Sequence, residues 1–179
     1  GMYNADHICR QLAKKYGGTS ETLYAPAYAE NREQKLAFMQ NATVKQTLDL
    51  ARKADVALVG IGDMSENSYM VDLGWFTPDE VVQSRLQQGV VGDFAGYDFF
   101  DIHGNVANTV MSDRVIGLGI EEFRPISEVI AIAAENSKPL ALLGALRTGA
   151  IDVIATSVSN ALTVLNLDEQ MHGNAASES

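Results

Sequence analysis

Two apolar runs, at residues 56–61 and 129–134, limit the fold more than any other feature. In both runs the odd-numbered and the even-numbered positions alike lack polar side chains. Such runs are typical of strands buried on both faces of a parallel sheet. A third strand is predicted at 151–156, and helices at 138–148 and about 159–171 follow the second and third strands. Strands that alternate with helices predict an α/β protein with a Rossmann-like, three-layer fold and a parallel sheet.

The N-terminal half is predicted to be largely helical. Thr77, Pro78 and Glu80 give the clearest signal, because they form a capping box with proline at the first helical position, and Gly89 closes that helix. Helices are predicted at residues 4–16, 32–40, 44–53 and 77–88, a short strand at 22–24, and an extended excursion at 106–116.

Length and composition indicate one soluble domain. The 179 residues carry a formal net charge of −10, which repels a nucleic-acid backbone. With no apolar run of about 18 residues and no signal peptide, a cytoplasmic protein without membrane contact is expected. The single cysteine excludes an internal disulfide, and no pattern indicates a metal site or a cofactor. The domain is expected to span 1–172, with Gly1 a tag remnant and 173–179 a flexible tail.

The segment 89–101 is the strongest candidate for a site. Val90 and Val91 favour a buried strand, and a turn at Gly92 then presents the carboxylate of Asp93. An alternative is a loop in which the aspartates cap backbone amides and the aromatic residues fill the core. The local sequence leaves both interpretations open.

Four strand ends are expected to meet at one edge of the sheet, where open parallel sheets bind ligands. They end at residues 60–63, 92–93, 135–138 and 156–157. Asp93 could accept hydrogen bonds from sugar hydroxyls, and Lys138, beside Pro139 at the head of a helix, could bind an anion. Phe94, Tyr97 and Phe100 could lie against the carbon face of the ligand. Together these groups fit a phosphorylated sugar, although Asp93 could instead cap a turn and Lys138 could be solvated.

Several other residues are not assigned to catalysis or to cofactor binding. Gly60 and Gly62 leave room for a ligand near the backbone but lack the third glycine of a dinucleotide-binding loop. Asp101 and His103 are assigned to turn chemistry rather than catalysis, because no nucleophile or second base is spaced to complete a set. Arg147 is expected to complement the dipole at the end of its helix.

The segments 59–62, 89–105 and 138–154, together with Leu23-Tyr24-Ala25-Pro26-Ala27, resemble the effector-binding domain of SorC-type sugar-responsive transcriptional regulators. The resemblance implies a fold similar to ribose-phosphate isomerases and glucosamine-phosphate deaminases. It also implies a sensor, not an enzyme, that binds a phosphorylated sugar and forms a dimer or tetramer. In such regulators a separate helix-turn-helix domain, not expected within this chain, binds DNA. By position, Gly62, Asp93, Phe100 and Lys138 match the effector-binding residues.

The chain also departs from the family pattern. It opens in a helix where the family has a strand and a glycine-bearing loop, so part of the phosphate pocket is expected to be missing. Ala155-Thr156-Ser157 stands where the family tends to carry Thr-Asp-Glu. Two alternatives to a sensor therefore stay open: a sugar-phosphate isomerase or deaminase, and an oligomerising domain whose pocket has decayed.

Overall fold

The computed structural model describes residues 4–96, 98–134 and 138–177, with side chains described as far as Gly173. Its helices are α1 (Ala5–Tyr16), α2 (Arg32–Gln40), α3 (Ala42–Ala51), α4 (Tyr69–Asp72), α5 (Pro78–Gln88), α6 (Ile120–Phe123), α7 (Pro139–Arg147) and α8 (Val158–Ser177). Its strands are β1 (Val56–Asp63), β2 (Val90–Phe94), β3 (Asp98–Asp101), β4 (Val106–Ala107), β5 (Glu128–Ala133) and β6 (Val153–Thr156).

The strands form one mixed sheet in the order β4-β3-β2-β1-β5-β6. β1, β5 and β6 are parallel neighbours, as predicted. The β1–β2, β2–β3 and β3–β4 pairs are antiparallel, so the prediction of a parallel sheet is wrong for this half of the sheet. The two halves share β1, whose first five residues pair with β5 and whose last three pair with β2.

Helices lie on both sides of the antiparallel half, which confirms the α/β class. Gly144 of α7 lies against Val91 and Phe100, whereas Val81 of α5 packs in a second cluster with Val90. Phe99 and Phe100 are adjacent in β3 and belong to different clusters, and both are fully buried. This part of the sheet therefore separates two hydrophobic cores.

The parallel half is covered on one face only in the described residues. Val59, Val129 and Ala131 are buried in the larger core. Their neighbours on the opposite face remain exposed, including Leu58 at 53% and Ile132 at 51% of their surface. The expectation that the sheet is covered on both faces therefore does not hold here.

The helix ends follow the local sequence closely. The capping box between Thr77 and Glu80 is formed, and Gly89 closes α5 in the left-handed conformation with φ 65°. Asn4, Asn31 and Asn41 accept hydrogen bonds from the first turns of α1, α2 and α3. Each cap replaces a hydrogen bond that the backbone at a helix end lacks.

The strand predicted at 151–156 begins at Val153, and other boundaries also differ from the prediction. Residues 22–24 form no strand and have no neighbouring strand to pair with in the described residues. The helix expected at 44–53 occupies Ala42–Ala51. Its N-cap is Asn41, so the helix begins two residues earlier than predicted. α8 continues to Ser177, past the expected end near Met171 and through most of the expected tail. Within the described residues, no helix combines the length and the apolar character that crossing a membrane requires.

Candidate functional site

The candidate site lies where β1 ends beside β2. Because the two strands are antiparallel, Asp93 reaches this edge from the opposite direction and pairs with Gly62 across the strands. Residues directly opposite in an antiparallel pair project to the same face of the sheet. The structure therefore brings together two of the predicted site residues, Gly62 and Asp93, although the strand direction that was expected for β2 is reversed.

Gly62 is needed because the Asp93 carboxylate occupies the space beside its Cα. A Cβ atom added at Gly62 would overlap Oδ2 of Asp93. The room that the sequence assigned to a ligand is thus taken by a side chain of the protein. Asp93 retains 4% of its surface exposed, so a ligand that binds this carboxylate must first displace the atoms that cover it.

A tight turn after β2 holds the Asp93 carboxylate from the other side. Ala95 and Gly96 both have positive φ, 56° and 75°, in the short loop that joins β2 to β3. The Gly96 N–H donates to Oδ1 of Asp93 at 2.7 Å, and the Ala95 N–H donates to the Gly60 carbonyl at 2.9 Å. The Tyr28 hydroxyl donates to the Gly96 carbonyl. The turn is therefore anchored to three separate segments of the chain.

Burial raises the pKa of Asp93 from its usual 3.8 to about 6. The hydrogen bond from Gly96 and the positive charge of Lys138 act in the opposite direction, and the negative charge of Asp63 adds to the rise. A carboxyl group with this pKa changes its charge between pH 5 and 7. Asp93 can accept or donate a proton in that range, depending on what binds next to it.

Lys138 supplies the positive charge at this edge. It is the N-cap of α7 and precedes Pro139, as the sequence predicted. Its Nζ donates to the Ile61 carbonyl of β1 at 3.4 Å, and the side chain is half-buried. The ammonium group and the first backbone amides of α7 together favour an anionic ligand at this position.

The ends of β5 and β6 are joined by a small polar network. The Thr156 hydroxyl donates to the Ala133 carbonyl at 2.6 Å, and Nδ2 of Asn160 contacts both that carbonyl and the hydroxyl. Asn160 is buried at the start of α8. The network satisfies polar groups that the strand ends would otherwise leave buried, and it fixes the distance between β5 and α8.

The aromatic part of the predicted site is not formed as expected. Phe94 and Phe100 are fully buried, and Phe94 packs edge-on against Phe123 with ring centroids 5.1 Å apart. Phe100 lies under α7, next to Gly144, on the face of the sheet opposite Asp93. Neither ring can lie against a sugar without unpacking the core. Tyr97 and the loop residues 135–137 lie outside the described residues.

The structural roles assigned to other polar residues are confirmed. One Asp101 carboxylate oxygen accepts hydrogen bonds from the backbone of His103 and Asn105, each at 2.9 Å. Partial burial raises the pKa of Asp101, but the side-chain hydrogen bond from Asn105 and these two backbone bonds together hold it below its usual value. Arg147 lies in the last turn of α7, where it donates to the Ile102 carbonyl and pairs with Asp168 at 2.7 Å.

Sequence reasoning missed Tyr28 and Asn160, and it placed Asp63 at the end of the first strand without giving it a role. Tyr28 lies 65 residues from Asp93, and nothing in its local pattern indicated contact with the turn at Gly96. Asp63 directly follows Gly62, and its charge acts on Asp93. Asn160 is the third residue of α8, and its side chain contacts the Ala133 carbonyl and the Thr156 hydroxyl, which no local pattern indicated. In the described residues, no group of three or more His, Cys, Asp or Glu side chains could hold a metal ion.

Comparison with known proteins identifies the family. Residues 1–166 match the family model described as "Putative sugar-binding domain". This chain belongs to that family. The match covers more than nine-tenths of the sequence, and it confirms the resemblance to sugar-binding domains of regulators.

Two solved structures share the fold, and curated relatives match the sequence. The crystal structure described as "Putative Sugar-Binding Domain of Transcriptional Repressor from Vibrio fischeri" is 61% identical, with a TM-score of 0.87, over 93% of this chain and 66% of that one. A DeoR family transcriptional regulator from Listeria monocytogenes is 34% identical, with a TM-score of 0.84, over 92% of this chain and 66% of that one. The deoxyribonucleoside regulator of Bacillus subtilis is 24% identical over 92% of this chain and 51% of its own length. The chain spans about half the length of the curated relatives it matches.

Proposed function

We propose that this chain is the effector-binding domain of a transcriptional regulator, and that its effector is a phosphorylated sugar bound between Asp93 and Lys138. The observation that carries the proposal is a buried carboxylate, that of Asp93, on which the positive charge of Lys138 at the N-terminus of α7 acts. Family membership and the names of the relatives support it.

The two charges suit the two ends of such a ligand. The phosphate would accept hydrogen bonds from Lys138 Nζ and from the first amides of α7, where charge-assisted bonds are strongest. The sugar hydroxyls would hydrogen-bond to Asp93 once the ligand replaces the groups that cover it.

Regulation would follow from the cost of uncovering Asp93. A ligand that binds only when the Ala95–Gly96 turn has moved shifts the population of turn conformations toward that state. We propose that this change is transmitted to a homo-oligomer and to a DNA-binding domain outside these residues. The net charge of −10 agrees with this division, because an acidic domain does not itself attract DNA.

Isothermal titration with a panel of sugar phosphates, each matched by its unphosphorylated sugar, tests the proposal. Binding of at least one phosphorylated sugar, but not of its parent sugar, is expected. The interaction should weaken in Lys138→Met and persist in Lys45→Met, which removes an exposed lysine of α3. If a folded sample binds none of the sugar phosphates in the panel, this ligand class is excluded.

One observation favours a second candidate, a sugar-phosphate isomerase or deaminase. A carboxyl group with a pKa near 6 is suited to general acid–base catalysis near neutral pH. Turnover of an aldose or ketose phosphate that is abolished in Asp93→Asn would establish an enzyme. Binding without turnover would favour the sensor.

A further inference from the structure

Tyr28 joins two parts of the molecule that are far apart in the sequence. Its hydroxyl donates to the Gly96 carbonyl in the turn after β2, and it also lies 3.5 Å from the sulfur of Met70 in α4. The Gly96 N–H in turn donates to the carboxylate of Asp93. One buried side chain therefore connects the turn that holds Asp93 with α4.

The two acceptors of Tyr28 compete for one proton. A tyrosine hydroxyl has a single hydrogen to donate, and a thioether sulfur is a weaker acceptor than a backbone carbonyl. The hydroxyl is closer to the Gly96 carbonyl oxygen than to the Met70 sulfur, so the carbonyl is the acceptor in this state. When the turn moves away, the hydroxyl can donate to the sulfur instead. Tyr28 thus has two alternative hydrogen-bonded states.

The ring of Tyr28 connects these states to the protein surface. Its centroid lies 4.8 Å from that of Trp75, and the rings of Trp75 and Tyr69 are 6.0 Å apart. Tyr28 is buried, Trp75 is partly exposed, and Tyr69 keeps 58% of its surface exposed. We call these three residues the aromatic chain. It leads from the turn beside Asp93 to the solvent.

A buried polar group in the same segment supports a second arrangement of α4. Ser68 is the N-cap of α4, yet its side chain makes no capping hydrogen bond. The residue is buried, and its Oγ has no hydrogen-bond partner among the described residues. An unpaired buried hydroxyl is unfavourable. A shift of α4 that lets Ser68 cap the helix would offset part of the cost of moving the segment.

We infer that Tyr28 is a relay between the candidate site and the protein surface. When a ligand displaces the turn, the Tyr28 hydroxyl changes its acceptor from the Gly96 carbonyl to the Met70 sulfur. The aromatic chain transmits this change to Tyr69. Coupling of this kind requires an element with two states that both ends bias, and the shared hydroxyl is that element. The inference rests on the proposed function only for the ligand, because the coupling itself belongs to the ligand-free chain.

The test therefore needs no ligand. Protonation of Asp93 weakens the bond that holds the turn, because a neutral carboxyl group accepts a weaker hydrogen bond than a carboxylate does. Burial raises the pKa of Asp93 to about 6, the charge of Lys138 opposes this rise, and the charge of Asp63 adds to it. Lowering the pH through this range should loosen the turn and move the Tyr28 hydroxyl toward α4.

Two signals of the ligand-free chain report the change between about pH 4 and pH 8. One is the methyl NMR signal of Met70, assigned by its loss in Met70→Leu. The other is the fluorescence of Trp75, the only tryptophan in the sequence. Both should change with a midpoint near pH 6, and neither should change in Asp93→Asn. In Tyr28→Phe the Asp93 carboxyl group still titrates, but the two signals should no longer follow it.

Met70→Leu removes the sulfur acceptor at nearly constant volume, so the response of Trp75 to pH should be lost. Met111→Leu is the matched control, since Met111 is buried in the same hydrophobic cluster as Met70 and Tyr28. Both signals should keep their pH dependence in this variant. Circular dichroism verifies that each variant is folded.

Two results would overturn the relay. One is a Met70 signal that stays constant while the Asp93 carboxyl group titrates. The other is a response of Trp75 that persists in Asp93→Asn, Tyr28→Phe or Met70→Leu. Titration with sugar phosphates is a separate measurement. A chain that binds none of them and still shows the coupling keeps the relay and loses the proposed effector class, whereas binding without the coupling removes the relay alone.

Discussion

Gly62 and Asp93 face each other across the β1–β2 pair, and the carboxylate of Asp93 fills the space that any side chain at position 62 would need. The glycine is therefore required by a neighbouring side chain rather than by its own backbone conformation. This contact ties the end of β1 to the charged residue at the centre of the candidate site.

Gly62→Ala should lower the free energy of unfolding by about 1–3 kcal/mol, the usual cost of adding a methyl group where there is no room. It should also weaken binding of the proposed ligand, because the Asp93 side chain must move. Gly60→Ala is the matched control, since a Cβ two residues earlier in the same strand meets open space. Urea denaturation compares the two. Equal stabilities would show that the Asp93 side chain relaxes without cost.

Asp93 should make stability depend on pH in the opposite sense to most aspartates. Its pKa is raised to about 6 in the folded protein. Its favourable contribution to the free energy of unfolding is therefore complete below about pH 3.8 and is lost as the pH rises through 6. A rise of about two units corresponds to about 3 kcal/mol. Asp93→Asn should therefore gain stability relative to the wild type between pH 4 and 7.

The control for this pH effect is Asp55→Asn, which removes an exposed carboxylate that directly precedes β1. Denaturation of all three proteins at several pH values isolates the contribution of Asp93. A difference between the wild type and Asp93→Asn that stays constant from pH 4 to 7 would contradict the raised pKa.

Lys138→Met should raise the pKa of Asp93 further, because the ammonium group of Lys138 lowers it in the wild type. Carbon-detected NMR titration of the Asp93 carboxyl group measures this change directly. The same variant should lose about 1.5–3 kcal/mol of affinity for a phosphorylated ligand, as expected for a hydrogen bond to a charged group. Lys45→Met should change neither quantity. An Asp93 pKa that does not respond would place Lys138 outside the site.

Tyr28→Phe should destabilise the protein by about 0.5–1.5 kcal/mol, because the hydroxyl no longer donates to the Gly96 carbonyl. If Tyr28 positions the turn that holds Asp93, the variant should also change the pKa of Asp93 and lower the affinity for the ligand. Tyr69→Phe is the control, since its ring is largely exposed and its edge-on contact with Trp75 survives the change. Loss of stability with an unaltered titration would limit Tyr28 to a packing role.

Local signals in the sequence predicted the elements well and the sheet less well. Asn41, Thr77 and Gly89 determine helix ends through bonds within a few residues, so their patterns could be read directly. The direction of β2 could not be predicted from the sequence, because Val90 and Val91 favour a strand equally in either direction. The short strand expected at 22–24 is absent because strand propensity requires a neighbouring strand to take effect.

The candidate site was predicted in part for a related reason. Asp93 and Lys138 are polar residues at strand and helix ends, and such positions are visible in a sequence. The aromatic residues were misassigned because Phe99 and Phe100 point to opposite faces and are both buried, so alternation does not show which face meets a ligand. Tyr28 was missed because its contact with Gly96 spans 68 residues.

The division of the sheet at β1 has a consequence for folding. The meander from β2 to β4 forms through contacts between residues close in the chain, whereas β1 must find β5 across an intervening stretch of more than sixty residues. Local pairing closes faster than distant pairing. Pulse-labelled amide exchange during refolding should therefore show the amides of β2 and β3 protected before those of β5 and β6. Until the distant strands pair, the edge of β1 that later meets β5 carries unpaired backbone groups, which favour aggregation.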